Sequence, residues 1–366
     1  MKKIITAIIA LVILALMAWG YAQSAHHAKE DHGGGKVNPK ETIFEHLGDA
    51  YGWEVPFSHT KKIPLPIILF DKSGAPHCFM SSRVTGGETY TDGNAQFKIS
   101  TDAEGGYKGK LVQLVDGGEY RPWDFSITKN VLGILIAAVL VILMAMSLRN
   151  WYKKQGMKGP KGAKGMLELV IEFVYTDTIK PIMGKEAPKY GPYLLTAFFF
   201  ILTMNLLGLI VIFPGGANLT GNLAVTMVLA LATFLITNLT GTKHYWKDIF
   251  WPDVPIAFKC PVPMMPIIEF FGILTKPMAL MIRLFANMLG GHMVVIVLIM
   301  LIMIFTEMFG AAIGVGTAVI SVLFSIFMLL LDTLISFIQA FVFTLLSTIF
   351  ISMAHIHGEP QPATEL

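Results

Sequence analysis

Two apolar segments, Met264–Phe305 and Ile313–Ala354, decide what this chain can become. Each is about 42 residues long and almost free of charge. As α-helices they would extend about 60 Å, twice the roughly 30 Å hydrocarbon thickness of a bilayer. Folding each into a hairpin would need turn chemistry near its midpoint. Gly290-Gly291 offers that in the first, but nothing comparable interrupts Ser321–Met353. The favoured solution is two long, steeply tilted helices packed as an antiparallel pair. With 54% hydrophobic and 14% charged residues, the whole chain reads as an all-α polytopic membrane protein rather than a soluble one.

Three further spans precede these helices: Ile127–Leu148, Tyr193–Phe213 and Leu223–Leu239, giving about five in all. Arg149–Lys164 carries basic residues and no acidic ones, which places that loop in the cytoplasm. Met166–Ile182 sets Leu167, Val170, Ile171 and Val174 against Glu168, Glu172 and Asp177. This spacing predicts an amphipathic helix lying along the interface. Pro214–Gly221 reads as a short outer turn, and Thr240–Val262, with its lysines and Trp246 and Trp251, as an inner interfacial loop.

The start of the chain has a different character. Lys2-Lys3, the apolar run Ile4–Trp19 and the small residues near Ser24 have the parts of a secretory signal, 1–24. An uncleaved first membrane helix is the other reading. Residues 25–36 carry His26, His27 and His32 in a Gly-rich setting, read as a linker before metal binding. Up to residue 122 the composition is soluble-like. Ile63–Phe70 and Phe97–Ser100 look like strands, separated by the turn clusters Asp71–Gly74 and Thr91–Asn94. Hence 25–122 is read as a small β-containing extracytoplasmic region, 123–357 as the membrane domain and 358–366 as a tail. The only cysteines, Cys78 and Cys260, fall on opposite sides of this topology. No cysteine–histidine spacing or phosphate loop points to a metal, a cofactor or nucleic acid.

Charge inside the long segments is rare and therefore informative. Arg283 would cost roughly 2.5–3.5 kcal/mol at the centre of a lipid-facing helix, so it faces either a structural carboxylate or a polar path. Asn287 lies one turn on, and Lys276 and Glu269 lie 7 and 14 residues back, near the same stripe. His292 is about half a turn round from Arg283. On the second helix Asp332, Ser336 and Gln339 share a face. His292 and Asp332 are groups that can exchange protons, whereas a guanidinium keeps its charge. A buried hydrogen bond between the pair is the plainer alternative.

At Arg283-Leu-Phe-Ala-Asn287, with Thr275-Lys276-Pro277 upstream and Gln339-Ala-Phe-Val-Phe343 downstream, the chain resembles subunit a of rotary F-type ATP synthases. The likeness extends through Glu168–Ile171 and Asn205–Gly208, over about residues 123–357. It implies a helical bundle whose two long helices hug a ring of c subunits, beside b-type peripheral stalk subunits in the bacterial inner membrane. The N-terminus would lie outside and the C-terminus inside. The implied function is a stationary channel that drives ring rotation, moving protons, or sodium, through two half-channels to and from the ring carboxylates. No ATP chemistry is expected in this chain. Arg283 matches the family's arginine, Asn287 and Gln339 its neighbouring amides, and Glu269 an acid of the inner half-channel. Arg283, Lys276 and Ser336 are expected to face the ring. Relative to some bacterial members the acid and the imidazole at His292 and Asp332 are exchanged, which pairs them in the outer half-channel. The resemblance says nothing about residues 25–120. A secondary transporter would favour repeated halves, which are not visible here. A haem-binding redox subunit would need paired histidines within spans, and only His292 lies deep in one.

Overall fold

The structure is a computed structural model that describes residues 48–55, 58–84, 89–93, 95–100, 109–115, 118–156, 158–210, 216–250 and 264–355. The expected signal, the histidine-rich stretch, Cys260 and the tail lie outside the described residues. Among the described residues nine strands come first: β1 Gly52–Val55, β2 Ser58–Pro64, β3 Pro66–Phe70, β4 Pro76–Met80, β5 Tyr90–Asp92, β6 Ala95–Ile99, β7 Leu111–Val115, β8 Gly118–Tyr120 and β9 Trp123–Asp124. They form an antiparallel pair β1–β2, a three-stranded sheet β4–β3–β9 and a four-stranded meander β5–β6–β7–β8.

The single strand expected over Ile63–Phe70 is divided at Leu65. Pro64 and Pro66 flank it, and proline withholds an N–H from any ladder. Leu65 instead pairs with Ser81, its N–H donating to Ser81 Oγ at 3.0 Å and its carbonyl accepting from Ser81 N at 3.0 Å. The Asp71–Gly74 turn forms as its residues predict. Asp71 Oδ1 accepts from Ser73 N and Ala75 N, both at 2.8 Å, and Gly74 takes a φ of 84°. Ile67, Leu69, Phe79 and Phe97 fill a small core of their own.

Two carboxylates in this region carry its acid sensitivity. The Ser73 hydroxyl, then the backbone N–H groups of Ala75 and Ser73, hold Asp71 below the usual carboxylate range. Lys98, 2.8 Å away, and then Ser100 do the same for Glu119. A pKa depressed on folding adds stability above the unfolded value of about 4, and that stability is lost as pH falls through the folded pKa. Hydrogen-exchange protection of β3–β4 and β6–β8, corrected for intrinsic rates, should therefore fall below about pH 4. Asp71→Asn with Glu119→Gln should flatten that fall; an unchanged profile would contradict the assignment.

The helices follow: α1 Lys129–Gln155, α2 Ala163–Glu172, α3 Lys180–Met183, α4 Ala187–Leu209, α5 Leu223–Leu239, α6 Lys243–Phe250, α7 Met264–Phe309 and α8 Ala311–His355. Thr128 caps α1 by accepting from Val131 N. A π-helical stretch, Phe173–Ile179, joins α2 to α3. The predicted amphipathic helix is thus not one regular helix, and helical structure runs from it almost without interruption into α4. Val174 and Ile179 are fully buried there, while Met166 and Leu169 remain exposed. The loop expected from Thr240 contains α6 before it passes outside the described residues. Among the described residues four helical stretches are long and apolar enough to cross a membrane: Lys129–Gln155, Ala163–Leu209, Ile267–Phe309 and Ile313–His355; α5 is apolar but shorter.

Two compact units emerge, one of Asp49–Ala286 with Ser336 onward, the other containing Asn287–Ile335. In the first, Trp53 of β1 joins the helical core with Ala137 of α1, Phe198 of α4 and Leu219. Gly133 of α1 allows this close approach, since a Cβ there would come within 2.6 Å of Leu219 Cδ2. In the second, the end of α7 turns at Gly310, whose φ is 85°, into the start of α8. Thr306 lies against Gly314 and Asp332 against Gly291, which is the register of an antiparallel hairpin. The favoured reading of two long helices rather than two hairpins holds: α7 runs on through Pro277 and Gly290-Gly291 without a turn.

Candidate functional site

Arg283 lies near the middle of α7. Leu280 and Leu284 turn into the helical core, while Arg283, about 100° round the helix from Leu284, is exposed together with Ala279 and Ala286. The site is therefore a cation on an open face, flanked by small side chains. Asn287 is also exposed.

Two residues expected to share that face with Arg283 are more deeply packed than it is. Ser336 is only 3% exposed, and its carbonyl accepts from Asn205 Nδ2 at 3.4 Å. It packs against α4. Lys276 is half-buried and lays its ammonium 5.6 Å from the Phe350 ring centroid. Spacing along the helix put both on the right stripe, but packing against α4 and α8 decided which way each faces. Gln339 is buried as well.

Lys276 lines a crevice with Thr237, Asn238 and Tyr245, between α5, α6, α7 and α8. Tyr245 donates from its hydroxyl to Asn238 Oδ1 at 3.3 Å. Burial, then the charge of Glu269, pushes the Tyr245 phenol above its ordinary value. Glu269 itself is half-buried; a phenol, an amide and an ammonium line one crevice, and the charge of Glu269 acts on the phenol. Deeper in, the Tyr193 hydroxyl and Thr233 Oγ1 lie 3.0 Å apart, and Thr233 and Ser347 lie 3.4 Å apart. Thr220 donates to Asn205 Oδ1 at 2.7 Å. Sequence reasoning missed these groups because single threonines in an apolar span attract no notice. The signal was there: Thr226, Thr233 and Thr237 recur on one face of α5, and all three are buried.

The hairpin unit holds the other titratable pair. Asp332 is 7% exposed, and its carboxylate lies over Gly291, where an added Cβ would sit 2.7 Å from Oδ1 and 2.8 Å from Oδ2. His292, the next residue, is half-buried. The structure thus brings Asp332 beside the backbone that carries His292. Such a pair can bind and release a proton in an otherwise apolar hairpin.

The model of the family described as ATP synthase A chain matches residues 131–352. A family described only as a domain of unknown function matches residues 42–125. ATP synthase subunit a of Chloroherpeton thalassium is 39% identical over 66% of this chain and 70% of its own length. ATP synthase subunit a 2 of Chlorobaculum tepidum is 39% identical over 68% of each. The Myxococcus xanthus subunit a is 42% identical over 64% of this chain and 75% of its own. Arg283, Asp332 and Glu269 all fall within the matched stretch, and the chain belongs to the ATP synthase A chain family.

Proposed function

We propose that this chain is the stationary ion channel of the membrane sector of an F-type ATP synthase, with Arg283 meeting the carboxylates of a rotating c-ring. The observation that carries this reading is a guanidinium exposed on a helix that is otherwise fit for lipid. Its roughly 2.5–3.5 kcal/mol cost in lipid is offset when the open face meets a carboxylate on a partner. A ring carboxylate crosses lipid in its neutral form and ionises when it reaches Arg283, releasing its proton. The fixed cation also repels a proton moving directly past it, so ions travel by way of the ring.

Glu269, with the crevice at Tyr245, serves the inner half-channel, and His292 with Asp332 the outer one; Asn287 and Gln339 support the region near Arg283. Five spans place the β region outside and the C-terminus inside a bacterial inner membrane, with α5 as the short fifth span. Residues 1–24 act as the signal, 25–122 as the outer region, 123–357 as the channel and 358–366 as the tail. A peripheral stalk of b-type subunits holds the chain still against the ring. Protons are the ions moved, and sodium is tested by replacing it in the assay.

The test is ATP-driven acidification of inverted membrane vesicles. The native chain should support it without sodium, and vesicles that hydrolyse ATP with no acidification would overturn the channel reading. His292→Glu and Asp332→His should each lower the rate about 100-fold, the lower end of what a positioned proton-transfer group contributes. The double exchange should recover more than either single change. Equal failure of the double variant would contradict the paired role.

A further inference from the structure

The β4–β3–β9 sheet has a face without a polar side chain. In an antiparallel sheet with one face on a core, the other face ordinarily alternates to polar residues. Here Ile67 and Leu69 of β3 point inward, but the outward positions are apolar too, including Ile68 and Phe70. Register brings Cys78 opposite Ile68 and Trp123 opposite Phe70 on that same outer face, with Met80 at one end. Phe125 extends it, with its ring 5.9 Å from that of Phe70 in an edge contact. Trp123 is 70% and Phe125 61% exposed. Scattered apolar residues on a surface are ordinary, but a continuous patch of this kind marks something that covers it.

The position of the face says what that is. The strand continues past β9, with Phe125 N donating to Ile68 O at 2.9 Å and Ile127 N to Pro66 O at 3.1 Å. Two residues later α1 begins. Lys129 N donates to Ala50 O at 2.9 Å and Asn130 N to Asp49 Oδ1 at 3.2 Å. No linker separates sheet from helix, so the face is held at the level of the first turn of α1. That helix exposes its own apolar stripe from Val131 through Leu135 and Val139. The apolar surface of the sheet is continuous along the chain with the lipid-facing surface of a membrane span. Tryptophan and large aromatics concentrate at that depth because one end of the ring is apolar and the other tolerates water.

We propose that this face rests on the lipid surface of the leaflet in which α1 begins, so that Phe70, Trp123 and Phe125 anchor the β region to the membrane. The proposal needs only that α1 spans the bilayer, and it stands whether or not Arg283 meets a ring.

Cys78 on that face is a natural reporter, because Cys260→Ser leaves it the sole cysteine of the chain. An environment-sensitive dye on Cys78, in the whole complex reconstituted into phospholipid vesicles, would be exposed to a headgroup-level nitroxide lipid and to aqueous iodide. The expected result is at least twofold greater quenching by the lipid than by iodide. Strong iodide quenching without lipid quenching would place the face in water. Protection from both would place it under a protein. Either outcome overturns the proposal. Unlabelled protein gives a second readout, since Trp123→Phe should remove much of the intrinsic fluorescence that the nitroxide lipid quenches. Equal quenching in native and variant protein would also overturn it.

Discussion

Arg283→Ala is expected to abolish ATP-driven proton pumping, a fall of at least 100-fold, while the complex still assembles. The expectation follows from where the side chain lies. Leu280 and Leu284, its neighbours on the packed side of α7, are buried in the core, whereas Arg283 is exposed and takes no place in it. Truncation therefore removes no buried packing, and assembly on a native gel should match the unmodified complex. On the proposed reading, what is lost is the charge that keeps a ring carboxylate ionised. Without it the carboxylate stays protonated in its apolar setting, and a path past the ring opens to passive leak. Arg283→Lys restores the charge but not the planar, two-pronged donor geometry, so it should recover only part of the rate. Normal pumping by Arg283→Ala would make the residue a surface feature.

Gly291→Ala should lower pumping about 100-fold, because the added methyl would collide with both Asp332 oxygens and lie 2.9 Å from Cγ. The carboxylate must leave its rotamer or the hairpin must open, and a misplaced proton-transfer group costs rates of this order. The matched control is Gly316→Ala on α8, where a Cβ meets nothing within 4 Å. Alanine there should even favour the helix by about 0.5–1 kcal/mol. Equal loss from both substitutions would point to general damage to the helices, and no loss from Gly291→Ala would remove Asp332 from the pathway.

Much of this was legible in the residues. Two apolar runs too long for one upright span, only the first of them with a Gly-Gly pair near its midpoint, leave long helices, and α7 and α8 have that form. Arg283 announced itself because a charge in such a run is costly. What periodicity could not deliver was the choice of neighbour. Lys276 and Ser336 lie on predicted stripes, yet a stripe has two edges. The Phe350 ring drew one inward and the Asn205 amide fixed the backbone at the other. The buried threonines of α5 were hidden because each is tolerable alone. The apolar face of the outer sheet was hidden for a different reason. Its members come from three strands and meet only through register, so no local window contains the pattern.

The central claim is that the open face of α7 around Arg283 meets the ring, and cysteine cross-linking tests it most directly. Ala279→Cys and Ala286→Cys flank Arg283 on its exposed side. Each would be paired with a ring subunit carrying a cysteine one turn from its carboxylate, and Leu143→Cys on the exposed side of α1 would serve as the reference. The account predicts a disulfide-linked product with the ring from both α7 positions and none from Leu143. Cross-links absent at Ala279 and Ala286 in an assembled complex, or equally strong at Leu143, would contradict it.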